Sequence, residues 1–71
     1  MSHTLVLFAS DTDTMVAGKA LRDAGVFNKI VAKPAGIETS AHMCLEIKPD
    51  EELKARNILS RVQMPCDVLL R

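Results

Sequence analysis

The order of strand-like and helix-like segments predicts an α+β domain, a ferredoxin-like βαββαβ sandwich. Its four-stranded antiparallel sheet is expected in the order 4-1-3-2, with both helices on one face. Three observations lead there. Apolar or alternating runs of strand length lie at His3–Ala9, Asn28–Lys33, Met43–Ile47 and Cys66–Leu70. Stretches with apolar residues at helical spacing separate the first run from the second and the third from the fourth. Cap and stop residues bracket the helical stretches.

His3–Ala9 (HTLVLFA) is β-rich and apolar on both faces, as a central strand should be. Ser10, Asp11 and Asp13 then offer N-cap oxygens, and Ser10 with Asp13 approximates a capping box. Helix one is expected from Asp11 to Ala24, with Ala17, Ala20, Leu21 and Ala24 on one face and Gly25 as its stop. Asn28–Lys33 alternates charge and apolar residues, and its two lysines suit a sheet edge. Met43–Ile47 is the third strand. Lys48-Pro49-Asp50 opens helix two, with Pro near its first position and acidic residues in its first turn. Ala55, Ile58, Leu59 and Val62 form its apolar stripe, and Asp50–Lys54 and Glu52–Arg56 are expected ion pairs. Pro65 ends the connection to the last strand.

Composition narrows the function. The chain of 71 residues is one domain, 1–71, with no linker or low-complexity segment. A chain this short buries only about 60% of its unfolded surface, so a partner subunit would help it. Nine basic and nine acidic residues cancel, leaving no field to attract nucleic acid or an anionic membrane. Two phenylalanines without Trp or Tyr also argue against a base-stacking surface. No run approaches the ~18 apolar residues of a membrane span. The N-terminal run lacks the basic flank of a signal peptide, and a cytoplasmic location is expected.

The segment from Lys33 to Ile47 (KPAGIETSAHMCLEI) holds the residues best suited to chemistry. In the expected topology, Ser10, Asp11, Lys33, Ser40 and His42 share one rim with the N-terminus of helix one, a place for a small anionic or polar ligand. The competing reading is that Ser10 or Asp11 satisfies the free helix N–H groups itself. Cys44 and Cys66 fall on strands separated by the first strand, roughly 10 Å apart, too far for a disulfide. Alternation places Met43, Leu45 and Ile47 on one face and Cys44 with Glu46 on the other. With the first set beneath the helices, the open face would carry Val6, Phe8, Val31, Cys44 and Leu69 among Thr4, Lys29 and Glu46. So apolar a face calls for a homo-oligomer or a partner protein across the sheet.

Metal and enzyme readings fare worse. His42-Met43-Cys44 and Met64-Pro65-Cys66 offer soft ligands, but adjacent strand residues point to opposite faces, and sulfur residues pack cores routinely. Asp11 and Asp13 at a helix start are helix caps rather than a metal or acid–base pair. No nucleophile elbow, phosphate loop or dinucleotide fingerprint occurs, and nothing orients a base for a Cys44–His42 pair. Neither cofactor, metal nor autonomous enzyme activity is expected.

The chain resembles the small selenium/sulfur carrier-like proteins of bacteria and archaea. Phe8-Ala9-Ser10 and Lys19-Ala20-Leu21 with Gly25-Val26 match that family's strand end and helix end. Its P-x-x-I-S-S-x-C-G segment corresponds to Pro34-Ala35-Gly36-Ile37 through His42, followed by the strand Met43–Ile47. Without gaps, the family's Cys-Gly falls on Ala41-His42. The resemblance implies a non-enzymatic carrier or accessory protein served by a sulfur- or selenium-donor enzyme. Cys44 is the best remaining thiol for that role, which demands an exposed thiolate. The alternative is a ligand-binding or interaction module without thiol chemistry.

Overall fold

The computed structural model describes residues 3–37, 40–64 and 66–70, with Leu69 and Leu70 described by backbone alone. Along the chain run β1 (Thr4–Leu7), α1 (Asp11–Asp23), β2 (Lys29–Ala32), β3 (Met43–Ile47), a 3₁₀ turn (Pro49–Glu51), α2 (Glu52–Arg61) and β4 (Asp67–Leu70). The strands form one four-stranded sheet in the order β2-β3-β1-β4. Read from its other edge, that order is 4-1-3-2, and all the pairings are antiparallel. Among the described residues no helix is long and apolar enough to cross a membrane.

Helix one follows its sequence signals closely. Ser10 has extended backbone angles, and its hydroxyl accepts the Asp13 N–H at 3.1 Å. At the other end Val26 N–H donates to Leu21 O and Gly25 N–H to Arg22 O, with Gly25 at φ 87°. This is a Schellman ending, which needs a residue in the left-handed region. Val26, 0% exposed, joins Leu21 in the core. Helix two ends in the same way, with Met64 N–H donating to Leu59 O and Gln63 N–H to Ser60 O. Its left-handed residue is Gln63, at φ 55°.

Helix two starts later than expected, because Pro49 opens a 3₁₀ turn before the α-helix begins at Glu52. Of its expected ion pairs, Glu52–Arg56 forms, at 3.0 Å. The first, second and fourth strands are one to three residues shorter than expected, since pairing stops short of one or both expected ends.

One expectation about the sheet faces is corrected. Thr4 pairs with Ile47 and Val6 with Leu45, and directly paired residues share a face. Val6 and Phe8 therefore pack with Leu45, Ile47, Leu21 and Leu59 beneath the helices, not on the open face. Thr4 shares that phase and is fully buried. Leu5 and Leu7 take the other face, with Cys44. Both alternating sets of β1 are apolar, so periodicity could not choose between them. Expectations for Pro65 and for the side chains of Leu69 and Leu70 lie outside the described residues.

The second face carries a smaller buried cluster of its own. Leu5, Leu7 and Cys44 are buried within the single chain, with Val31 and Ile37 packed against them. After β2, Pro34 is buried and Ala35-Gly36 form a turn, with Gly36 at φ 88° and Ile37 N–H donating to Pro34 O at 3.4 Å. A type II turn of this kind requires a positive φ at its third residue. It returns Ile37 to the sheet, where it packs against Leu5, Leu7 and Cys44.

Candidate functional site

Several of the expected rim residues meet around Asp11. This residue is the first of α1, yet its carboxylate bonds away from the helix. Oδ1 accepts the backbone N–H groups of His42 at 2.7 Å and Met43 at 3.2 Å. Oδ2 lies 3.2 Å from His42 Nδ1. An ionised carboxylate only accepts, so the facing Nδ1 is the donor in this contact. The His42 N–H foremost, then its ring, hold the Asp11 carboxyl below the ordinary carboxylate range.

The neighbouring residues complete the junction. Thr14 is buried, and its hydroxyl donates to Ser10 O at 3.0 Å and, more weakly, to Met43 O at 3.5 Å. Lys33 N–H donates to His42 O at 3.1 Å. Ser10, Asp11, Lys33 and His42 are thus brought together, with Ser40 exposed nearby in sequence. Ser10 and Asp11 spend their oxygens on internal N–H groups, while the His42 side chain is 86% exposed. The junction fastens the segment before β3 to the start of α1.

Among the described residues neither thiol is a partner in these hydrogen bonds. Cys44 is 0% exposed, packed with Leu5, Leu7, Val31 and Ile37, and its Sγ lies 3.9 Å from Ala32 O. Burial, and secondarily the charge of Glu46, push its thiol up. Cys66 is half-buried against the helix-side core; burial raises its thiol, with Arg56 offsetting part of the effect and Asp67 adding to it. Both cysteines are free. Neither environment makes a ready thiolate, since a reactive cysteine needs exposure and a positive neighbourhood. Ala41, at the position the resemblance gives to the family's cysteine, is likewise 0% exposed. No cluster of three metal-ligating side chains occurs among the described residues.

Two hollows share the corner where β1 begins and β3 ends; the first extends from there along β2 toward Pro34, and the second stays at that end. One, about 340 Å³, runs along Leu5, Val31 and Pro34. The other, about 420 Å³, lies between Phe27, Ile47 and Pro49, with Lys29 and Lys48 beside them. His3 and Glu46 line both, with His3 Nδ1 3.9 Å from the Glu46 carboxylate. No sequence motif marks this region. The available signal was Phe27, one of only two aromatic residues, following the helix stop Gly25-Val26 outside any apolar periodicity.

No curated protein and no solved structure matches the chain. The model of the family described as "Putative Se/S carrier protein-like" matches residues 3–70, nearly the whole length. The match extends the resemblance seen in Phe8–Ser10, Lys19–Val26 and Pro34–Ile47 across the last helix and strand, and the chain belongs to the Se/S carrier-like family.

Proposed function

We propose that this protein is a small, non-enzymatic, cytoplasmic accessory protein of sulfur or selenium handling that works by binding rather than through a carrier thiol. Its ferredoxin-like βαββαβ arrangement is then a binding frame. The observation that carries this reading is the burial of Cys44, 0% exposed with its thiol pushed above the usual range. A carrier must present a thiolate to its donor, and Cys44 presents none. Ala41, in the place of the family's cysteine, has no sulfur to offer. The partner is a donor or acceptor enzyme, meeting the rim of Ser10, Lys33, Ser40 and the exposed His42 ring. A second copy across the sheet is less favoured, because Leu5 and Leu7 are already buried.

The family match over residues 3–70 favours a second reading, in which Cys44 is a carrier. Its thiolate would take the outer sulfur of a donor persulfide, with the donor thiolate leaving. That transfer first requires Cys44 to be uncovered from Val31 and Ile37.

Incubation of the folded protein with a cysteine desulfurase and L-cysteine, followed by intact-mass measurement, separates the readings. The binding reading expects no added sulfur. A persulfide mapped to the Cys44 peptide would establish the carrier.

A further inference from the structure

Phe27 is 76% exposed, although its two neighbours are anchored. Val26 is fully buried behind the Schellman ending of α1. Asn28 is 7% exposed, and its Nδ2 donates to Gly18 O at 3.1 Å and Val26 O at 3.2 Å. The backbone on both sides of Phe27 is therefore fixed, and the ring is held out rather than left loose. A phenylalanine left in water forgoes the burial of one of the largest apolar side chains. In so small a domain that is a large sacrifice for a residue with no packing role.

The ring borders the hollow of about 420 Å³ whose other apolar walls are Ile47 and Pro49. That volume falls within the range of small-ligand sites. The charges around it are balanced, with Lys29 and Lys48 against Glu46 and Asp50. Lys29 and Glu46 face one another in the β2–β3 register, while Lys48 and Asp50 flank Pro49. An apolar cleft with both signs of charge at its edge complements a ligand that has an apolar body and carries both signs itself.

We propose that the hollow bounded by Phe27, Ile47 and Pro49 binds a zwitterionic amino acid with an apolar side chain, its carboxylate toward Lys29 and Lys48 and its ammonium toward Glu46 and Asp50. The side chain lies against the Phe27 ring. This site is at the far end of the sheet from the Asp11–His42 junction, and its existence does not depend on the behaviour of the thiols.

The test is titration of the full-length ¹⁵N-labelled chain with L-phenylalanine, followed by amide chemical shifts. Saturable shifts at Phe27, Lys29 and Lys48 are expected by about 10 mM ligand. N-acetyl-L-phenylalanine and L-phenylalaninamide, each lacking one charge, should bind several-fold more weakly. Phe27→Ala should weaken binding about ten-fold while its spectrum stays as well dispersed as that of the parent, because the ring is exposed. The absence of saturable shifts at these amides would overturn the proposal. Equal binding of the single-charge derivatives would also overturn it. Either failure leaves the sulfur-loading result above unaffected.

Discussion

The carboxylate of Asp11 accepts three donors from a segment 31 and 32 residues away, with the His42 N–H at 2.7 Å, the Met43 N–H at 3.2 Å and the His42 ring nitrogen at 3.2 Å. A residue at a helix start normally serves its own helix. Here Ser10 provides the cap, and Asp11 is free to hold the entry to β3. The carboxyl is held below its ordinary range, so ionisation favours the folded state. The stability it contributes is complete above the unfolded carboxylate value of about 3.9 and is lost as pH falls through the lower folded value. Asp11→Asn should lower the melting temperature at pH 7 and flatten its decline in acid. Denaturation of both proteins across the acid range checks this, and parallel curves would refute the role.

Gln63 occupies the left-handed position at the end of α2, which Gly25 occupies at the end of α1. A left-handed conformation costs a non-glycine residue roughly 1–2 kcal/mol, partly offset by glycine's greater freedom when unfolded. Gln63→Gly should therefore stabilise the domain by up to about 1 kcal/mol, and Gly25→Ala should destabilise it by about 1 kcal/mol or more. Urea unfolding at neutral pH reads both.

The Thr4 hydroxyl is buried on the helix side of β1 and has no hydrogen-bond partner among the described residues. An unsatisfied buried hydroxyl costs about 1–3 kcal/mol, and an apolar group of the same shape removes that cost. Thr4→Val should raise stability by about 1 kcal/mol or more in the same urea experiment. A loss of stability would show that the hydroxyl has a partner in solution.

Leu45 stands at the centre of β3, paired with Val6 on one side and Ile30 on the other, and is 0% exposed. Leu45→Ala should cost about 2–5 kcal/mol. In a domain of this size that approaches the whole folding free energy, so circular dichroism should show a largely unfolded chain at 37 °C.

What could be read in the sequence was local. The limits of helix one follow from Ser10 and Gly25, and those of β3 from its own alternation, because caps, stops and period act within a few residues. What escaped reading depends on distant partners. The phase of β1 is set by its register with β3, because Leu5/Leu7 and Val6/Phe8 are equally apolar. Asp11 read as a cap because its true partners, His42 and Met43, lie beyond a turn whose path is set by Gly36. The burial of Cys44 follows from that same path, since Ile37 returns to cover its face. Phe27 belongs to no periodic pattern, so only the hollow beside it gives the residue a meaning.

The central claim is that Cys44 is structural, and its reactivity in the native state tests this most directly. In a Cys66→Ser background, a chromogenic disulfide reagent should label Cys44 only at the rate at which the domain opens. Labelling should then be slow in native buffer and accelerate steeply with denaturant, because the buried thiol is reached only on opening. Prompt, stoichiometric labelling at neutral pH without denaturant would contradict the claim and return Cys44 to the role of a carrier.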